Sequence, residues 1–240
     1  MSTVGNWRGP NIVKDSLVLY LDPGSPNSFF NKSGTTIKDI SGNNYTGSLV
    51  NGPTYNSSNG GSIGFDGTND TINLGNILNV GLNSWTMSCW VKFNTGSGTF
   101  GIIGKTSLRS YLGRYTFFVE SGNINALFQS SGNAICTTSI TPYLDGNFHN
   151  LSMVINRTGF FTMYIDGVLK GTEVNISSDV NVNLNTSTDF LYIGSYADIT
   201  GQSPSLFLNG NVANSVIYNR NLSQQEVLQN FNATKSRFGF

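Results

Sequence analysis

Short runs rich in Val, Ile, Phe, Tyr and Thr return along the whole chain, and each is closed by Gly, Asn or Ser. This rhythm constrains the fold more than any other feature. In "FTMYIDGVLKGT" the pair Asp166-Gly167 separates two β-prone runs, which predicts a tight hairpin. The same pattern predicts strands over 17–22, 62–66, 71–75, 86–93, 101–105, 115–120, 124–129, 134–139, 149–156, 160–166, 168–174, 190–195 and 210–219. Further turns are expected at Thr158-Gly159 and Gly122-Asn123. No helical stretches alternate with these strands, so an antiparallel sandwich or barrel is expected rather than βαβ units. One helix is signalled near the end. In "NLSQQEVLQNF" Ser223 and Glu226 form a capping box, Leu222 and Val227 a hydrophobic staple, and Val227, Leu228 and Phe231 an apolar stripe.

The 240 residues suffice for one large all-β domain. The expected organisation is an arm over 1–13, a domain over 14–232 and a tail over 233–240. Lys plus Arg and Asp plus Glu both number 13, and only 11% of residues are charged. The chain therefore lacks the basic footprint of a nucleic-acid binder and the polybasic cluster that an anionic membrane attracts. No apolar run approaches the ~20 residues of a membrane span. The N-terminus has no basic-then-apolar signal region, so Sec-type export is not expected. Cys89 lies in "WTMSCWVKF", where Trp85, Met87, Cys89, Val91 and Phe93 alternate onto one face. It reads as a buried thiol, and a disulfide to Cys136 stays open. A single His offers no zinc spacing.

The stretch "FDGTNDTINLG" admits two readings. In the first it is a hairpin: Ile63, Phe65, Ile72 and Leu74 point inward and Gly67-Thr68-Asn69 turn the chain. In the second, Asp66, Asn69 and Asp70 offer oxygen ligands to calcium, which takes about six to eight. An EF-hand is excluded, because Thr71 stands where its Gly would be and Ile77 where its Glu would be. Sugar binding calls for exposed aromatics beside amides and hydroxyls. Two long polar stretches, 105–117 and 194–207, are the expected ligand or partner rim, with Tyr111, Tyr115, Tyr143 and Tyr196 as candidate rings. Trp7 and Arg8 in the arm, and Arg237, Phe238 and Phe240 in the tail, are of the kind that anchors interfaces.

Six ordered pieces, "DISGNNYTGSLVNGP", "GSIGFDGTNDTINLG", "SWTMSCWVKF", "NFHNLSMVINRTGFFTMYIDGVLKGT", "LYIGSY" and "FLNGNVANSVIYNRNLSQQEVLQNF", together resemble a laminin-G-like, concanavalin A-like jelly-roll domain over roughly residues 14–232. The wording at both ends most resembles versions carried by tailed phages, where the domain occurs in virion proteins, usually as an accessory on head, neck or tail. The resemblance implies two stacked antiparallel sheets, binding of glycans or proteins, and a calcium ion beside the site. It also implies residue roles. Asn214 occupies a place where relatives often carry Asp, and a neutral amide there weakens a calcium site. Asp39 matches a further family position, with turn formation beside Ser41 and Gly42 as its plain role. Phe148-His149 stands where relatives carry Trp-His, and a lone His at a strand start is expected to be structural. Relatives that cleave glucans present Glu-x-Asp-x-x-Glu, whereas Glu120, Glu173 and Glu226 fall in no such pattern.

The expected function is that of a non-enzymatic structural or accessory protein of a phage virion, made in the host cytoplasm. It would bind neighbouring virion proteins, could also bind host-surface glycans, and would form a homo-oligomer on the particle. A host-polysaccharide lectin is the alternative, with a glycan hydrolase behind it.

Overall fold

The computed structural model describes residues 10–106, 113–130, 132–185, 189–197 and 202–240. Trp7, Arg8 and Tyr111 lie outside the described residues.

Two antiparallel sheets stack on one core. The first contains β1 (Leu17–Leu21), β4 (Thr54–Asn56), β5 (Ser62–Asp66), β7 (Trp85–Phe93), β12 (His149–Ile155), β13 (Phe160–Ile165), β14 (Val168–Asn175) and β18 (Asn209–Tyr218). Its strand order is β14-β13-β12-β7-β18-β5-β4, with β1 on β18. The second contains β2 (Thr36–Lys38), β3 (Thr46–Val50), β6 (Thr71–Asn73), β8 (Phe100–Lys105), β9 (Arg114–Glu120), β10 (Asn123–Gln129), β11 (Asn133–Ser139) and β15 (Leu191–Ile193). Its order is β11-β10-β9-β8-β15-β6-β3-β2. A small ribbon pairs β16 (Tyr196–Ala197) with β17 (Pro204–Ser205). One helix, α1 (Gln224–Thr234), follows the last strand, and a 3-10 turn, Lys235–Phe238, follows the helix.

All the predicted strands are present, within a residue or two at most ends. Additional short strands are β2, β3, β4, β16 and β17. The Asp166-Gly167 turn has both φ values positive, at 54° and 75°, as a type I′ hairpin requires. The turn expected at Gly122-Asn123 is centred one residue earlier, on Ser121 and Gly122, with φ 51° and 74°. The capping box is formed: the Ser223 hydroxyl accepts from Glu226 N–H and the Glu226 carboxylate accepts from Ser223 N–H. The staple residues Leu222 and Val227 pack in one cluster with Val216 and Tyr218. Leu228 departs from the expected stripe. It is 44% exposed and lies beside Gly167 at the hairpin rather than in the core.

The expected hairpin at 62–75 is not one. β5 belongs to the first sheet, paired with β18 and β4, whereas β6 belongs to the second, paired with β3 and β15. "DGTND" is the corner where the chain crosses between the sheets. The inward residues are as expected, since Ile63, Phe65, Ile72 and Leu74 are all buried in the common core. Alternation predicts which face a residue takes, but not which partner the strand pairs with.

The outer edges β14 and β11 meet one another. At Gly171, φ +69°, β14 bulges away from β13, so a Cβ there would lie 2.9 Å from the Thr137 carbonyl oxygen of β11. The Cys136 thiol donates to the Thr172 carbonyl at 3.3 Å across this seam. A free edge that could template aggregation is thereby covered. Cys89 and Cys136 are both free and buried, so no disulfide joins them.

Candidate functional site

Strand alternation sets up the site. Ile63 and Phe65 of β5 face the core, so Gly64 and Asp66 face outward. On β18, Asn211 lies opposite Gly64, and Asn209 opposite Asp66. On β7, Lys92 lies opposite Asn211. The outward face of the first sheet thus ends in a strip of small and polar residues. A groove of about 400 Å³ opens there, lined by Asn51, Gly52, Thr54, Gly64, Asp66, Asp70, Asn94 and Asn211, among others. Gly64 gives the floor its depth: a Cβ at that point would come within 3.0 Å of Asn211 Nδ2 and 3.2 Å of Thr54 Oγ1.

The crossing corner closes one end. Asp66 Oδ1 accepts from Thr68 N–H at 2.7 Å and Asn69 N–H at 3.4 Å. Asp70 Oδ2 accepts from Asp66 N–H at 3.2 Å. Asn51 Nδ2 donates to the Asn69 carbonyl at 2.9 Å, tying the neighbouring loop to the corner. The two carboxyls are driven apart in acidity. Hydrogen bonds from the turn, led by Thr68 N–H, hold Asp66 below the usual carboxylate value. Burial, reinforced by the Asp66 charge, raises Asp70.

The five residues expected to hold calcium do not assemble. Asp66, Asn69 and Asp70 share the corner. Asn214 lies on β18 beyond the last residue paired with β5, where the side chain is buried and bonds to Tyr20. Asp39 is buried at another point, accepting from Tyr20 N–H, Ser41 N–H and the Ser41 hydroxyl at 2.8 Å each. That is the turn-forming role. Among the described residues no group of three or more His, Cys, Asp or Glu side chains is placed to hold a metal ion. Asp39 and Asn214 thus lie apart from the corner, and the five residues do not form one calcium site.

The described tyrosines of the expected rim, Tyr115, Tyr143 and Tyr196, are buried. Tyr115 is 0% exposed and its hydroxyl donates to the Leu78 carbonyl at 2.8 Å. Tyr196 packs edge-on against Phe118, and Tyr143 edge-on against His149. Rings buried this way present no face to a sugar. The reason is their place on or beside strands whose neighbours cover them.

The described tail is likewise not a free interface. Phe238 is buried and stacks on Trp90 with centroids 4.1 Å apart, and Phe231 stacks on the same indole at 5.6 Å. Trp90 Nε1–H donates to Thr234 Oγ1 at 3.0 Å. Arg237 pairs with Asp22 at 2.8 Å and donates to the carbonyls of Asn59, at 2.7 Å, and Gly61. Phe240 is half exposed but leans on Phe231 and His149. His149 is buried between two carboxylates, with Nδ1 2.8 Å from Asp166 and Nε2 3.1 Å from Asp145. Burial works against the charged imidazole, and the two carboxylates outweigh it, so its pKa is raised. Both ring nitrogens are thus engaged by carboxylates of neighbouring turns.

Asn51, Thr54, Gly64, Asn94 and Asn211 were not singled out in the sequence. Outward alternation along 62–66 and 209–212 was the available signal, and it points to the groove only once the two strands are known to be paired.

This is a two-sheet jelly roll of lectin type, with an open polar groove on one outer face. The profile of the concanavalin A-like lectin/glucanases superfamily matches residues 66–228, and the chain belongs to that superfamily. No curated protein sequence matches it. Among solved structures, the receptor-binding domain of botulinum neurotoxin D superposes with a TM-score of 0.69 at 17% identity, over 91% of this chain and 52% of that one. The binding domain of paraclostridial mosquitocidal protein 1 gives 0.68 at 17%, over 92% and 52%. The binding domain of botulinum neurotoxin DC, solved in complex with rat synaptotagmin II, gives 0.68 at 15%, over 92% and 52%. The chain spans about half the length of these proteins, and at such identities the likeness is one of fold.

Proposed function

We propose that the chain is a non-catalytic binding module that seats a glycan in the groove of the first sheet, and that it is carried on the surface of a phage particle. The observation that carries the binding reading is the groove itself: amides, a hydroxyl and carboxylates converge on a floor kept open by Gly64. A few placed polar groups in a concavity are what saccharide hydroxyls require. Binding-domain relatives by fold support the same class. The virion setting, with other virion proteins as partners and an oligomer on the particle, rests on the resemblance of the chain's ends to phage proteins.

One observation favours a second reading, hydrolysis. Asp66 and Asp70 are close-set acids in a groove, one lowered and one raised in pKa, as acid–base pairs often are. They are four residues apart in a single tight corner and therefore approach from one side. A glycosidase needs its two carboxyls flanking the scissile bond. The geometry favours binding.

Glycan-array binding, with and without a chelator, tests the proposal and reads at the same time whether calcium at Asp66 and Asp70 contributes. Binding weakened at least ~10-fold by Gly64→Ala is the expected result. Absence of any saccharide ligand would overturn the glycan reading, and release of reducing ends from a bound polysaccharide would overturn the non-catalytic one. Mass spectrometry of purified particles tests the virion setting.

A further inference from the structure

Resting on the reading of the groove as a saccharide seat, we infer that it selects by charge, accepting neutral sugars and rejecting those that carry carboxylate or sulfate. The side chains facing the ligand space are Asn51, Thr54, Asp66, Asp70, Asn94 and Asn211. The charged members are both acids, and among the described residues no Lys, Arg or His lines the groove. The cation on the neighbouring strand, Lys92, holds its ammonium over the Phe148 ring, 5.8 Å from the centroid.

Asp66 is fixed as an anion by the N–H groups of its own turn, which donate to Oδ1. Its carboxylate can accept hydroxyl donors from a sugar diol, and hydrogen bonds to a charged acceptor are about twice as strong as neutral ones. A sugar carboxylate or sulfate set in the same place meets like charge in a partly desolvated concavity, with no cation among the described lining residues to answer it. The amides Asn51, Asn94 and Asn211 supply uncharged donors and acceptors, which serve hydroxyl and acetamido groups equally. A neutral saccharide can satisfy this lining, whereas an acidic one leaves an unanswered charge on each side.

Calorimetric titration in EDTA tests this with matched ligands: each neutral oligosaccharide that binds, and the same oligosaccharide bearing a uronic or sialic acid. Methyl-esterified and free oligogalacturonates extend the comparison, because they share one backbone and differ only at the carboxyl group, neutral in one and charged in the other. Acidic members are expected to bind at least ~10-fold more weakly, the scale of an unanswered like charge. The combined Asp66→Asn, Asp70→Asn change is expected to weaken neutral binding, because the carboxylate acceptor is lost, and at the same time to close most of the gap between neutral and acidic members. Equal or tighter binding of the acidic members to the unmodified protein would overturn the inference and leave the saccharide reading standing. Failure of every saccharide, or neutral binding untouched by Gly64→Ala, would overturn the saccharide reading and the inference with it. The ester comparison needs no variant, so it decides the matter even if the double substitution disturbs the corner.

Discussion

The outward face of the first sheet has two halves, built by the same strands and treated in opposite ways. On β7, Trp90 and Lys92 are two residues apart and share that face; on β18, Ala213 and Asn211 are likewise neighbours. Around Trp90 and Ala213 the face is aromatic and sealed by Phe231 of α1 and Phe238 of the tail. Around Asn211 and Gly64 it is small, polar and open. The strand period sets which residues look outward. The side chains at those positions decide whether the chain closes over them or leaves them to a ligand. Stability is concentrated in the sealed half, and the recognition we propose in the open one.

The largest effect should come from opening the sealed half. Phe238→Ala removes a buried ring stacked on Trp90, and such truncations cost about 3–5 kcal/mol. Urea unfolding would measure it, with groove binding retained below the transition. A loss under ~1 kcal/mol would show that the tail merely rests on the indole. Arg237→Ala comes next. It strips a partner from Asp22 and from two carbonyls, and should cost about 1–3 kcal/mol. A double-mutant cycle with Asp22→Asn isolates the ion pair, and a coupling near zero would reduce Arg237 to a carbonyl clamp. Gly64→Ala inverts the pattern. Only the ends of the flexible Asn211 and Thr54 side chains must yield, so stability should change by less than ~1 kcal/mol while binding falls at least ~10-fold. If stability collapsed as well, the two halves would not be separable.

The sealed half was partly legible in the sequence. The capping box and staple located α1, because capping is local chemistry written in adjacent residues. Trp90 and Phe238 were not matched to each other, since their stacking joins positions far apart in the chain. The open half was harder to see. Asp66 and Asp70 stood out as oxygen-rich, yet their meaning turned on β5 and β6 lying in different sheets, which depends on pairing rather than on alternation. Tyrosine's two-sided nature misled in the same way. Tyr115 has its ring in the core and its hydroxyl on a carbonyl, and its sequence context looks no different from that of an exposed ring. Asp39 was legible as a turn former for the reason Asp166-Gly167 was: both act within a few residues of themselves.

At the border of the sealed half, His149 gives a smaller and pH-dependent test. Its folded pKa is raised, so its contribution is fully present below the unfolded value of about 6.5 and is lost as pH rises through the folded one. Asp145 behaves oppositely. Burial acts to raise it, but hydrogen bonds from Asn147 and His149 outweigh that and bring it to about 2. Its contribution is present above about pH 4 and lost as pH falls toward 2. The melting-temperature gap between the protein and His149→Gln should therefore be widest between about pH 4 and 6.5 and should narrow above. A gap of constant size from acid to alkaline pH would mean that His149 acts by packing against Tyr143 and Phe240 alone.

The smallest effect belongs to the open half and has the opposite sign. Asp70 has a raised folded pKa, caused by burial and the Asp66 charge. Between the unfolded value of about 3.9 and the folded one, the native state holds more protons, so stability falls as pH rises. Above both values the cost is constant. Asp70→Asn keeps an oxygen for the Asp66 N–H and removes the repulsion. It should raise stability at pH 7 by less than ~1 kcal/mol and leave it unchanged near pH 3. Calcium added at pH 7 separates two causes of that cost. If the ion stabilises the parent protein and not Asp70→Asn, the corner's strain is the repulsion that a cation would relieve. A variant less stable than the parent at pH 7 would instead place Asp70 among the stabilising groups, and erase the contrast with the sealed half.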